Sequence, residues 1–521
     1  MRSLSRAAYA QIYGPAVGDR VRLADTSLLV AVEQDLCLKS GGPGEEMRLG
    51  TGGTTRDGMG QAQIVNGPGH HEAHDLVITN VLIIDHWGVV KADIGIKGCR
   101  IAAIGKAGNP DIQSGVDIVV GPGTELVSGE GLIVTAGAVL SHARFSSPRQ
   151  IEQALGAGVT TIIGGGIGPS SGSLASGATP GPENLHRMLQ AAEALPLNLG
   201  FLGKGSATRP EALSQQIAAG AIGLKLQGDW GISPAAIDNC LTMAEVTDTR
   251  ASLEFDTLNE AGFVEDCVGV ARGRSLGCLH GAGAAAAPEA LMLAGEPNFL
   301  LASALAPDGD GAEEVLHDMG AISVLGGARL LTGDVVLRAW QSAHRMKGLR
   351  GSLPQDSVRS DNFRVRRYLA KYTINAALAN GIAHDVGSVE VGKWADLVLW
   401  QPAFFGVRPS LVIKGGFVVA ASQEGSATPL FGGLGRVRSA TSLSFISGTA
   451  MDNDLGDELG LSKRLSAVHD CRGTSRKQML LNDCMPRIEF DARTGVLRAD
   501  GEPLVAEPVT LLPLAQRYFL F

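Results

Sequence analysis

Ile133-Val134-Thr135-Ala136-Gly137-Ala138-Val139-Leu140-Ser141-His142-Ala143-Arg144 reads as a short apolar strand that delivers a histidine at its end. Its β-branched start and continuous apolar run are the signature of a parallel strand buried on both faces, and in barrel folds the C-terminal strand ends are where ligands and chemistry sit. A residue two places beyond His142 would lie on the same side of the strand end. That residue is Arg144, whose guanidinium keeps its proton and so cannot ligate a metal.

Upstream, residues 1–130 are β-rich. Residues 19–23 and 28–32 are strand-like, 76–85 reads as two paired runs around Thr79-Asn80, and 92–105 as a hairpin turning at Lys97-Gly98. These pieces predict a sandwich-like β-domain. Downstream, helical patterns at 147–157, 182–194, 209–218, 234–246 and 264–271 alternate with strands at 159–163, 197–202, 222–226, 251–255 and 276–280. That rhythm, continued to 322–324, predicts an α/β fold with a (β/α)8 TIM-type barrel over 131–400. Strands at 401–438 are expected to rejoin the β-domain, and 439–521 to be an irregular or helical segment with an apolar tail.

A chain of 521 residues exceeds what one hydrophobic core serves, in keeping with a barrel plus a second domain. The formal net charge is −9 with no basic run, which argues against nucleic acid. Seven scattered cysteines form no C-x-x-C pair, the usage of reduced thiols in the cytosol. The polar start after Met1 lacks a signal-peptide core, and no apolar stretch is long enough for a bilayer. A soluble cytoplasmic protein without a membrane partner is the expectation.

The ends of the expected barrel strands offer His142, Lys225, Glu254 and His280, with Gln227, Asp229 and Asp256 nearby. A lysine ending an apolar strand is costly unless paired, modified or deprotonated. Carbamylated, Lys225 would become an anionic oxygen donor able to bridge two metals.

Long runs of the chain carry a resemblance. They include Tyr13-Gly14-Pro15-Ala16-Val17-Gly18-Asp19, Arg56-Asp57-Gly58-Met59-Gly60-Gln61 and Asp85-His86-Trp87-Gly88-Val89-Val90-Lys91-Ala92-Asp93. Gly105-Lys106-Ala107-Gly108-Asn109-Pro110, Asp256-Thr257-Leu258-Asn259-Glu260, Ala370-Lys371-Tyr372-Thr373-Ile374-Asn375 and Ala515-Gln516-Arg517-Tyr518-Phe519-Leu520-Phe521 continue it. On these the chain resembles, nearly end to end, the catalytic alpha subunit of nickel ureases in the amidohydrolase superfamily.

The resemblance implies a pair of nickel ions bridged by a carbamylated lysine, which matches Lys225. His142 matches the first histidine of the family's His-x-His, but Arg144 stands at the second and Leu140 at the aspartate before it. Gln227 and Gly228 replace a urea-contacting histidine and the acid after it, and Glu254 replaces a nickel-binding histidine. His280 matches the last histidine ligand, while Ala328 aligns with the final metal-binding aspartate. Residues 296–314 are too short for the family's mobile flap and its catalytic histidine.

Two readings follow. In the first, no metal is held: Lys225 pairs with Glu254, Arg144 supplies the charge a lost metal provided, and the protein is a non-ureolytic member with a structural or regulatory role. In the second, one divalent metal, nickel or zinc, sits on carbamylated Lys225 with Glu254, His280 and His142, and Gln227, Arg144 and Asp256 line a pocket for a substrate other than urea. The resemblance also implies beta- and gamma-like partner subunits in a homotrimer-based assembly. His70-His71-Glu72-Ala73-His74 follows Pro68-Gly69 and reads as a solvated loop. Gly164-Gly165-Gly166-Ile167-Gly168-Pro169 lacks the ending of a phosphate loop and matches a glycine-rich loop of the urease barrel.

Overall fold

The computed structural model of the chain describes residues 4–38, 61–62, 73–167, 177–227, 232–254, 264–280, 288–305, 311–326, 334–423, 426–506 and 512–514. Strand β1 (Leu76–Asp85) is buried along its whole length and pairs antiparallel with β2 (Gly88–Lys97). The two runs expected around Thr79-Asn80 are therefore one strand. Asn80 takes a φ of 51° at a register shift between Ile78 and Val81, so the chain bulges there and continues.

The stretch 133–144 is two strands in two different sheets. β3 (Ile133–Ala136) pairs parallel with β1 at Leu82 and Ile83, whereas β4 (Ala138–Arg144) opens the barrel. Gly137 is the crossing point between them. A Cβ there would stand 2.1 Å from Thr160 Oγ1, so glycine leaves the room that the Thr160 side chain fills. Gly137→Ala is expected to lower stability by about 1–3 kcal/mol through overpacking, read from the urea midpoint of unfolding. An unchanged midpoint would show that the crossing has slack.

From β4 the barrel runs through β5 (Val159–Gly165), β6 (Asn198–Lys204), β7 (Gly223–Gln227), β8 (Arg250–Glu254), β9 (Leu276–His280), β10 (Phe299–Ser303) and β11 (Val324–Leu325), all parallel and in sequential order. A parallel bridge from Ser141 to Gly326 brings the last strand back to the first. β7, β8, β9 and β10 are buried at every position, as strands covered on both faces must be. The intervening helices turn apolar stripes inward, for example Leu185, Leu189 and Ala192 of the helix Pro182–Ala192.

The chain then returns to the first sheet. β12 (Leu397–Trp400) pairs antiparallel with β3, and β13 (Leu411–Lys414) with β12. The β-rich part is built on a branched ten-stranded sheet, which the returning strands join through β3. A buried polar knot ties that sheet to the barrel. Lys414 Nζ donates to Asn198 Oδ1 (2.8 Å) and pairs with Asp396 Oδ2 (2.5 Å), while Asn198 Nδ2 donates to the same Asp396 oxygen at 2.6 Å.

The segment after 439 is more regular than its composition suggested. β14 (Leu443–Ile446) and β15 (Arg464–Ala467) extend the barrel sheet beside β6, and Ile488–Asp491, Val496–Ala499 and Glu502–Pro503 form a small antiparallel sheet. The apolar tail 515–521 lies outside the described residues, as do residues 56–60 and 256–260 of the matched runs. Among the described residues no helix is long and apolar enough to cross a membrane.

Candidate functional site

The side chains singled out in the sequence come from the ends of β4 and, across the barrel from it, of the adjacent strands β7, β8 and β9. On β4, register shifts between Leu140 and Ala143, and His142 takes a φ of 61°. Such a bulge re-aims a side chain at a barrel rim, and histidine is one of the residue types that tolerates the left-handed region. Lys225 and Gln227 stand two apart on β7 and so share a face. Gln227 is in register with Glu254 of β8, and His280 of β9 with Ser303 of β10.

Glu254 is the centre of the arrangement. Its Oε2 lies 2.7 Å from Lys225 Nζ and its Oε1 accepts from Arg144 Nη2 at 3.0 Å. The Lys225 side chain is 0% exposed, Glu254 10% and Arg144 18%, so the group is shielded except on the Arg144 side. Burial alone would raise the Glu254 carboxyl, but Lys225 and Arg144 outweigh it and hold the group below the usual carboxylate range. Gly177 packs against both cations: a Cβ there would lie 3.0 Å from Lys225 Nζ and 3.3 Å from Arg144 Cγ.

Around this triad, buried polar atoms lack hydrogen-bond partners among the described residues. They are His142 Nδ1, Arg144 Nε, Gln227 Oε1 and both ring nitrogens of His280. His280 Nδ1 faces Glu313 Oε2 at 3.7 Å, beyond hydrogen-bond range, and Glu313 Oε1 accepts instead from Leu305 N at 3.1 Å. Deeper in, Ser303 Oγ and His317 Nε2 lie 2.6 Å apart, both fully buried. Burial, then Lys371 and His280, hold His317 well below the ordinary histidine range, so this pair is neutral.

His142 is neutral too. Burial first and Lys225 second push its pKa down to about 3, against the pull of Glu254. Between about 3 and the unfolded value near 6.5, the unfolded chain binds a proton that the folded chain refuses, so stability rises with pH across that window. The difference in Tm between wild type and His142→Gln is expected to shrink as pH falls from 6.5 toward 3. A difference that stays constant over that range would assign the acid sensitivity to other groups.

Metal ligation needs converging, deprotonated donors. Among the described residues no three His, Cys, Asp or Glu side chains converge to hold an ion. Both oxygens of Glu254 are on cations, and the Lys225 amine is an ion-pair partner of that same carboxylate. The described side chains, as they stand, do not fit a two-metal centre.

The structure brings His142, Arg144, Lys225, Gln227 and Glu254 to the barrel mouth, with His280 one strand further on. Asp256, Asp229, Gly228 and Ala328 lie outside the described residues, as do His70, His71, Glu72, Gly168 and Pro169. His74, the last of the short histidine cluster, is half-buried with Nδ1 3.3 Å from Val119 O. Sequence reading did not single out Glu313, Ser303 or His317. Glu313 opens the helix Ala312–Met319 directly after β10, and an acid in the first turn after a barrel strand was the available signal.

Comparison with known proteins bears on the whole arrangement. Residues 133–450 match the amidohydrolase family, and residues 2–127 match the N-terminal domain of the urease alpha-subunit. Among solved structures, the chain is similar to a D-hydantoinase at 15% identity and a TM-score of 0.50, covering 68% of this chain and 96% of that one. It is similar to L-hydantoinase (dihydropyrimidinase) from Arthrobacter aurescens at 15% identity and 0.50, covering 72% and 100%. A D-hydantoinase (dihydropyrimidinase) from Thermus sp. matches at 18% identity and 0.50, covering 68% and 97%. At such identities the likeness shows the fold.

Proposed function

We propose that this chain, which belongs to the amidohydrolase family, is a urease-alpha-like protein that keeps the fold but does not hydrolyse urea by a two-metal route. The observation that carries this reading is the Glu254 carboxylate, with Arg144 on one oxygen and Lys225 on the other. In two-metal hydrolases the ions generate the nucleophile and polarise the carbonyl. A guanidinium that never releases its proton cannot ligate an ion in their place. Leu140, Arg144, Gln227, Glu254 and Ala328 replace family site residues, and the short 296–314 segment leaves no room for the flap.

The role of such a protein is structural or regulatory. Its urease-like N-terminal domain supports a cytoplasmic, homotrimer-based assembly with beta- and gamma-like subunits. Protein expressed with nickel and zinc supplied is expected to retain far less than one metal per chain, unchanged by Lys225→Ala, and to leave urea intact. Near-stoichiometric metal that is lost on Lys225→Ala would overturn the reading.

The open ring nitrogens of His142 and His280 favour a second reading. There the chain is a divergent amidohydrolase with one nickel or zinc ion, carbamylated Lys225, Glu254, His280 and His142 as its donors, and a substrate other than urea. The same metal measurement separates the two.

A further inference from the structure

Among the described residues, the charges at the barrel mouth do not cancel. Arg144 and Lys225 share one carboxylate, Glu254, so the triad carries one net positive charge in a shielded place. Arg250, at the start of β8, is buried and close enough to act electrostatically on His142; its Nη1 donates to the neutral Ser275 Oγ at 3.3 Å. The other described acid nearby, Glu313, is engaged with Leu305 N and faces His280. A buried charge without a counter-charge is costly, and a buried polar atom without a hydrogen bond adds to that cost.

Open donors accompany the unbalanced charge. Among the described residues, Glu254 is the charged partner of Lys225 Nζ, and Arg144 Nε has no hydrogen-bond partner. His142, 8% exposed, has an open Nδ1 that is able to donate from the neutral ring. A ligand that removes all these costs together carries negative charge and several acceptor oxygens, and is small enough to enter past the partly exposed Arg144.

We propose that the barrel mouth is a binding site for a small oxyanion, of the carboxylate or bicarbonate class, held by Arg144, Lys225 and His142. The site rests on the reading that no metal pair occupies the mouth. Charge-assisted hydrogen bonds from guanidinium and ammonium to such an anion are about twice as strong as neutral ones. The same pocket offers a neutral amide no charge compensation, so formate, acetate and bicarbonate should bind where acetamide does not.

The test is calorimetry and thermal unfolding of the full chain, metal content measured on the same sample, with sodium formate, acetate or bicarbonate against sodium chloride of equal ionic strength and against acetamide. The oxyanions are expected to raise Tm and give a saturable heat, and chloride and acetamide to do neither. Arg144→Gln leaves a balanced Lys225–Glu254 pair, so the chain should stay folded while anion affinity falls by about tenfold or more. Gln227→Glu places the missing negative charge on the protein itself; it should raise the ligand-free Tm and abolish the oxyanion shift. A metal-free sample with no oxyanion effect, or an oxyanion shift that survives both substitutions, would overturn the anion site alone. Near-stoichiometric metal would overturn the reading beneath it.

Discussion

Glu254→Gln is expected to destabilise the chain by about 3–5 kcal/mol, the cost of removing one partner from a buried ion pair. The magnitude follows from what is left behind. Lys225 is fully buried and Arg144 largely so, and both would be left without the carboxylate between them. An amide oxygen can accept a hydrogen bond from one of them but neutralises neither. Replacing all three residues together by apolar side chains of similar volume is expected to be near neutral, because the desolvation cost goes with the charges. Urea unfolding of the single and triple variants checks both statements. A Glu254→Gln protein as stable as wild type would mean that the carboxylate does not hold this pair of cations.

The second large effect is expected far from the mouth. Lys414→Met should cost about 3–5 kcal/mol, because it strands the Asp396 carboxylate in the seam between the β-sheet and the barrel. Asp396 keeps the Asn198 amide and the Gly415 N–H, which donates at 3.0 Å, but these are neutral donors facing a buried charge. Asn198 in turn would lose a donor to its Oδ1, which also accepts from Leu443 N on β14. One substitution thus loosens β6, β13 and β14 together. A unit of stability at that seam predicts a single cooperative loss, seen as one shifted transition in urea. A new early transition with the main one unmoved would show instead that the sheet and the barrel unfold independently.

Much of the architecture was legible because periodicity and punctuation speak for themselves in buried parallel strands. The strands ending at Gln227, Glu254 and His280 follow the apolar runs closely, and the residues at their ends are the ones that gather at the mouth. Three features were not legible. Gly137 divides one apolar run between two sheets, and nothing in the local pattern separates a switch from a continuous strand; only the approach of Thr160 does. Asn80 looks like a turn in sequence but bulges a strand whose two halves share one partner. The C-terminal segment is polar, and its strands β14 and β15 exist because β6 offers β14 an edge, which is a tertiary fact. At the site, the ligand-type positions could be located from sequence, but the short distances from Glu254 to Lys225 on the adjacent strand and to Arg144 across the barrel depend on stagger and closure, which the whole barrel sets.

The central claim is that protein ion pairs stand where a family metal site would be. The most direct measurement is a crystal structure of protein grown with nickel and zinc supplied, with anomalous data collected at both absorption edges. The account predicts no anomalous peak at the mouth and an unmodified Lys225 amine within ion-pair reach of Glu254. Density for a carbamate on Lys225 with an anomalous peak beside it would contradict the account.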